Sequence, residues 1–169
     1  MLKSLANYYM DIAKMSASRS SCLRRKVGAV AIKYDRILAT GRNGQVPGST
    51  HCRTCLRDEL QIPSGKDINT CRAIHAEQNM LVQAAIFGVS LANSSIYCTH
   101  KPCFTCMKLL LSLKPSLIVW AEDYPCENTD RHIVDEKLLL AQPTETLPYF
   151  ALFPEYPVSK PMITLMKGA

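Results

Sequence analysis

Two short stretches constrain this chain more than anything else in it: His75-Ala76-Glu77 and, further on, Pro102-Cys103-Phe104-Thr105-Cys106. One imidazole and two thiolates are three ligands for a tetrahedral zinc ion, and they leave its fourth position to water. That open position separates a catalytic zinc from a structural one. Glu77 follows the histidine by two residues, an offset at which two side chains do not share a helix face. It therefore reads as a base beside the metal and not as a fourth ligand. Pro102 suits the first position of a helix, which puts Cys103 and Cys106 in the first turns, where the positive end of the helix dipole favours both thiolates. A lone C-x-x-C serves equally well as a redox pair or as part of a structural zinc site, and a lone H-x-E carries little weight. In this order, with Pro before the first Cys and a helical pattern after each stretch, the two read as one catalytic metal centre.

Composition narrows the rest. The 169 residues suit one domain with a substantial core, and no internal repeat or second domain is visible. Apolar content of 47% and charged content of 20% are those of an ordinary soluble globular protein. No apolar run approaches a membrane span and the amino end lacks a cleavable secretory pattern, so a cytoplasmic location is expected. Lys and Arg number 20 against 14 acidic residues, and the formal charge of +6 suits an anionic ligand, either a nucleotide phosphate or a nucleic-acid backbone. The eight cysteines are many for a reducing compartment, where clustered Cys point to metal before disulfides.

Periodicity then orders the elements. Leu2, Leu5, Tyr8/Tyr9, Ile12 and Met15 fall at helical spacing, so residues 2–18 form an amphipathic helix. Val27–Tyr34 and Ile37–Gly41 form a hairpin about a tight turn at 34–36. Residues 42–71 are a long connection rich in Gly, Pro, Ser and Thr, of the kind that is either functional or held by something. Helices follow at about Ile74–Phe87 and Cys103–Leu113, and strands at Ser95–Thr99 and Leu117–Ala121. Thr129 or Asp130 caps a further helix carrying Ile133, Val134, Leu138 and Leu139. A weak fifth strand lies near Thr146–Phe150. Proline at 143, 148, 154, 157 and 161 makes the last stretch extended, so the division expected is a domain over 1–150 and a tail over 151–169. The order predicts an α/β fold, a three-layer α/β/α sandwich around a mixed five-stranded sheet.

Cys22, Cys52, Cys55 and Cys71 remain, with His51 adjacent. Cys52-x-x-Cys55 has metal-ligand spacing, and four such groups would hold the long connection as a structural zinc site. Which four of the five ligate is left open, as is the alternative of free buried thiols. Cys98 and Cys126 read as core and loop residues. Arg24, Arg25 and Lys26 directly precede a buried strand and are candidates for a phosphate, against the alternative of a solvated basic face. Tyr124, just past the fourth strand, is placed to stack on a planar ligand, or else to serve as a core or lid tyrosine.

The chain resembles the deoxycytidylate (dCMP) deaminases of the cytidine-deaminase superfamily from about Tyr9 to Tyr124. The resemblance is carried by Arg19–Val30, the turn Gly41-Arg42-Asn43-Gly44, Cys55–Leu60, Ile62–Gly65, Cys71–Asn79 and Pro102–Lys108. H-x-E with P-C-x-x-C is the pattern of zinc-dependent nucleobase deaminases. The G-x-N-G turn and the Cys-bearing insert narrow it to the dCMP enzymes. One departure is His100-Lys101 before Pro102, where smaller or apolar residues are familiar.

That resemblance implies hydrolysis of dCMP to dUMP and ammonia, with His75, Cys103 and Cys106 on zinc and Glu77 moving protons. It implies that Asn43 holds the sugar, where the residues alone read equally as a turn asparagine. It also implies a homohexamer activated by dCTP and inhibited by dTTP. The effector, with Mg2+ on its triphosphate, would sit near Gly41, Asn43, Gly44 and the insert, where Asp58 and Glu59 either help hold the cation or are exposed helix acids. No membrane and no nucleic-acid partner is implied. The competing readings are a relative acting on free cytidine, a riboflavin precursor or adenosine in tRNA, and, from another class, a zinc-stapled nucleic-acid-binding module without catalysis. The last leaves Glu77 and the open ligand position without a purpose, and aromatics interleaved with basic residues are sparse.

Overall fold

Side chains alternate faces along a strand, and this sheet uses the alternation to separate two cores. The computed structural model describes residues 4–126, together with two short strands at 139–141 and 150–153. In β1 (Gly28–Lys33), Val30 and Ile32 pack with Tyr9, Met10 and Ala13 of α1 (Leu5–Ser18). Ala29 and Ala31 point the other way, into a cluster with Met80 and Ala84 of α3 (Ala76–Ile86) and Met107 and Leu110 of α4 (Phe104–Ser112). The neighbours in β3 (Ser95–His100) and β4 (Leu117–Glu122) keep the same phase: Tyr97 and Val119 join the first cluster, while Ile96, Cys98, Ile118 and Trp120 join the second. Helices therefore cover opposite faces of the sheet.

The sheet runs β2-β1-β3-β4-β6-β5, with β2 at Arg36–Arg42, β5 at Leu139–Ala141 and β6 at Phe150–Phe153. It is mixed: β3 and β4 are parallel and joined through α4, and the other pairings are antiparallel. Four strands lie within the continuously described residues and the two short ones extend the sheet to six, so the expected count of five is not what is found. The last strand begins at Phe150, so the boundary expected at residue 150 falls inside it. Leu139, expected at the end of a helix, lies instead in β5. The rest of that helix and the proline-rich tail lie outside the described residues. So does the strand expected near 146–150, apart from Phe150.

The hairpin closes through Tyr34 and Asp35, both with positive φ (51° and 58°), the two-residue turn whose twist matches that of the strands. Ser4 caps α1 by accepting from the backbone of Asn7. The buried face of α1 is Tyr9, Met10, Ala13 and Ala17, whereas Leu5 and Met15 of the expected stripe are exposed. The small residues win because α1 lies so close to β1 that a Cβ on Gly28 would stand 2.0 Å from the Ala13 carbonyl oxygen. The long connection holds α2 (Leu56–Glu59) and a turn of 3-10 helix at Ile68–Thr70. No helix of the described residues is long and apolar enough to cross a membrane.

Candidate metal centre and active-site cavity

His75 is the N-cap of α3 and Cys103 the N-cap of α4, both in extended backbone just before their helices begin. Pro102 therefore precedes the cap, two positions before the first helical residue, whereas the sequence reading puts it at that residue. Cys106 remains in the first turn of α4. Two features fix where α3 starts. The segment before it pairs with the residue after the G-x-N turn, Gly44 and Ile74 exchanging hydrogen bonds of 3.1 and 2.8 Å. The first turn of α3 then lies directly on β2 at Gly41, where a Cβ would come within 2.0 Å of the Ala76 carbonyl oxygen. Gly41→Ala should cost about 1–3 kcal/mol, the usual range for overpacking, and displace the turn that carries Glu77. A denaturant melt of the variant checks this.

The two helix starts meet at one point. His75 Nδ1 is 3.4 Å from Cys103 Sγ and 3.4 Å from Cys106 Sγ. A tetrahedral zinc ion with bonds of about 2.3 Å to sulfur and about 2.0–2.1 Å to nitrogen has N–S edges of roughly 3.5 Å, so this donor set fits zinc. The offset of His75 and Glu77 now has its reason: a cap residue and the second residue of the helix both face a point just off the helix end. Glu77 is buried, 4% exposed. Loss of hydration raises its pKa, against the opposing pull of its own backbone N–H, His75 and the Cys106 sulfur. Cys103 is held down to about 4, first by the hydrogen bond of Cys106 and then by His75. Cys106 is pushed up, foremost by that same bond, and the Cys103 sulfur in turn raises His75.

The donors stand at the end of a cavity of about 110 Å³. Arg24, Arg25, Arg57 and Lys101 line it, and among the described residues Glu77 is the sole acidic one in its lining, so the space suits an anion. Tyr124 is in the wall, its hydroxyl accepting from Gly65 N at 3.0 Å and its ring lying under the Arg25 guanidinium at 4.9 Å. Lys26 is exposed and absent from the lining, which corrects its expected phosphate role: the neighbouring Arg25 faces the cavity instead. Asn43 also borders the cavity, but its amide serves the protein. Oδ1 accepts from Ser20 Oγ (2.6 Å) and Val27 N (2.8 Å), and Nδ2 donates to Arg25 O (2.8 Å).

Arg57 lines the cavity although the sequence reading assigns it no role, and Lys101, with His100, figures there only as a departure from the pattern the chain resembles. Arg57 sits in the charged run Leu56-Arg57-Asp58-Glu59 and reads as exposed, yet it is buried and donates to the Pro63 and Lys66 carbonyls. Lys101 carried a signal, a charge directly before a motif at the end of a buried strand. The residues expected around an effector are dispersed: Gly41 lies under α3, Gly44 pairs with Ile74, Asp58 pairs with Arg24 at 3.2 Å, and Glu59 is exposed.

Cys22, Cys52, Cys55 and Cys71 line a second cavity, of about 310 Å³. Among the described residues, only His75, Cys103 and Cys106 form a set of at least three possible ligands all within 4.8 Å, so no three of the four sulfurs lie within that distance of one another. Cys52 Sγ accepts from Gln45 Nε2 at 2.9 Å, and its pKa is lowered mainly by a hydrogen bond from Arg72. His51 is exposed, with Nδ1 3.3 Å from Gln45 Oε1. Cys98 and Cys126 are buried, Cys98 in the core beneath α3 and Cys126 against Cys103 and Cys106.

A carboxyl buried beside one imidazole and two thiolates, at the floor of a cationic cavity, marks a catalytic metal centre and not a redox pair. The model of the cytidine and deoxycytidylate deaminase zinc-binding region matches residues 3–122, and the chain belongs to that family. It is 36% identical over 128 residues to the deoxycytidylate deaminase of Schizosaccharomyces pombe, covering 75% of this chain and 38% of that protein. The chain likewise spans 39% of the deoxycytidylate deaminase of Saccharomyces cerevisiae. With the deoxycytidylate deaminase of Mycobacterium phage D29 it shares 34% identity over 121 residues, 69% of this chain and 93% of the phage protein. The dCMP deaminase of cyanophage S-TIM5, solved in complex with dCMP and dUMP, superposes with a TM-score of 0.66 at 29% identity. That match covers 80% of this chain and 93% of the phage chain.

Proposed function

We propose that this chain hydrolyses dCMP to dUMP and ammonia. The observation that carries the reading is the buried Glu77 carboxyl beside His75, Cys103 and Cys106 in a cavity whose lining also holds Arg24, Arg25, Arg57 and Lys101. Phage relatives that align over nearly their whole length and bear the name dCMP deaminase support it. The three-layer α/β/α arrangement belongs to the same reading, supported by the cores on the two faces of the sheet.

His75, Cys103 and Cys106 hold the zinc, which when bound supplies Lewis acidity enough to bring the pKa of a water from about 15.7 to near 7. Glu77 takes the proton of the attacking water. As oxygen bonds to C4 of the cytosine, Glu77 hands that proton to N3, then moves a second to the departing amine. The C4–N bond breaks and ammonia leaves. Desolvation of Glu77 keeps its proton affinity above that of an ordinary carboxylate, as a group that both accepts and donates requires. In this reading the backbone N–H groups near Cys103, at the start of α4, stabilise the developing charge. Arg24, Arg25 and Tyr124 form the wall for the rest of the nucleotide, and Asn43, its amide tied to Ser20, Arg25 and Val27, shapes the wall beside the sugar.

The test is ammonia release from dCMP, dCTP, cytidine, deoxycytidine and an RNA stem-loop, each with and without added dCTP and dTTP. Preference for dCMP is expected; turnover of the RNA or the free nucleoside alone would overturn the substrate assignment. Regulation belongs to this proposal: dCTP raises and dTTP lowers the rate, with Mg2+ on the triphosphate, in a cytoplasmic homohexamer. Rates that ignore both triphosphates would remove it.

A second, structural zinc on Cys22, Cys52, Cys55 and Cys71 is also proposed, with His51 able to replace one Cys. The support is the shared cavity and the C-x-x-C spacing. Metal analysis should return two zinc ions per chain, and one for Cys52→Ser/Cys55→Ser. One per wild-type chain would end this part.

A further inference from the structure

We propose that Lys101 sets the requirement for a phosphate on the substrate. The inference rests on the deaminase reading and names a residue within the same site. Lys101 ends the run from β3 into the metal-binding turn, two residues before Cys103, and its backbone N–H is tied to the Glu122 carbonyl at 2.8 Å. Its side chain is only 6% exposed and lines the catalytic cavity. A buried ammonium is costly unless an anion faces it. One of its partners is Asp123 Oδ1 at 3.2 Å, on a side chain that is 65% exposed. A carboxylate that reaches in from solvent can give way to a dianionic phosphate at little cost, because hydration receives it again.

The arginines of the cavity are placed differently. Arg24 donates to the Ile62 carbonyl at 2.8 Å, Arg57 to the Pro63 and Lys66 carbonyls, and Arg25 lies over Tyr124 and reaches Ser64 Oγ at 3.3 Å. They clamp the 62–66 loop over the site and supply its field. Lys101 lines the same cavity from the strand end that leads into the metal-binding turn. Its flexible stem lets the ammonium follow a phosphate, as a point charge with three donors. In this position Lys101 is a specificity-determining residue and not part of the proton transfer.

The experiment compares dCMP with deoxycytidine on the zinc-loaded protein, for wild type, Lys101→Met, Lys101→Arg and Asp123→Asn, with zinc content measured throughout. A hydrogen bond to a charged group contributes about 1.5–3 kcal/mol, so the ratio of kcat/KM for the two substrates should fall about 10- to 150-fold in Lys101→Met. Lys101→Arg should recover part of that ratio. Asp123→Asn should lower KM for dCMP, because the competing carboxylate is gone. Equal losses for both substrates in Lys101→Met, or an unchanged ratio, would overturn the assignment. If Lys101→Met does not fold, a raised KM for dCMP in Asp123→Asn overturns it. Wild-type protein that deaminates neither substrate would instead overturn the underlying activity.

Discussion

Glu77→Gln should keep its zinc at the wild-type stoichiometry and lose a factor of about 10²–10⁴ in turnover of dCMP, the range that a positioned proton-transfer group supplies. The substitution preserves the volume of a side chain that is 4% exposed, so packing around the start of α3 survives. What disappears is a carboxyl that can take a proton from water and return it to the ring and the leaving amine. An amide at this place can orient a water but cannot accept its proton. The loss should appear in kcat, with little change in binding of dUMP. Activity within tenfold of wild type would remove Glu77 from the chemistry.

His75→Ala should have a still broader effect, abolishing turnover and removing one zinc per chain. Two thiolates remain, on Cys103 and Cys106, but the third donor came from the other helix. A metal on these ligands would tie the start of α3 to the start of α4, because His75 Nδ1 lies 3.4 Å from both sulfurs across that junction. Binding free energy at such a site is also folding free energy. The thermal transition of the wild type should therefore fall when a chelator is added, and that of His75→Ala should already be low and respond less. A variant that retained full zinc content would show that the metal is held elsewhere.

Much of this site was legible in the sequence because its residues are local to two helix starts. His75 and Glu77 lie within one turn, as do Cys103 and Cys106. The hairpin strands were readable from their apolar runs, and the structure then divides Val30 and Ile32 from Ala29 and Ala31 between two cores. What stayed hidden depends on contacts far apart along the chain. Arg57 reads as surface charge until the 62–66 loop folds over it. Asn43 reads as a turn residue or a sugar ligand until Ser20, Arg25 and Val27 occupy its amide. The face of α1 was misread because large apolar residues attract attention, while the close approach at Gly28 admits only small ones such as Ala13 and Ala17.

The most direct test is a crystal structure of the zinc-loaded protein, with the ion located by its anomalous scattering. It should stand on His75 Nδ1, Cys103 Sγ and Cys106 Sγ, with a non-protein oxygen in the fourth position and the Glu77 carboxyl within hydrogen-bond reach of that oxygen. A fourth ligand drawn from the protein, or Glu77 turned away from the ion, would contradict the account.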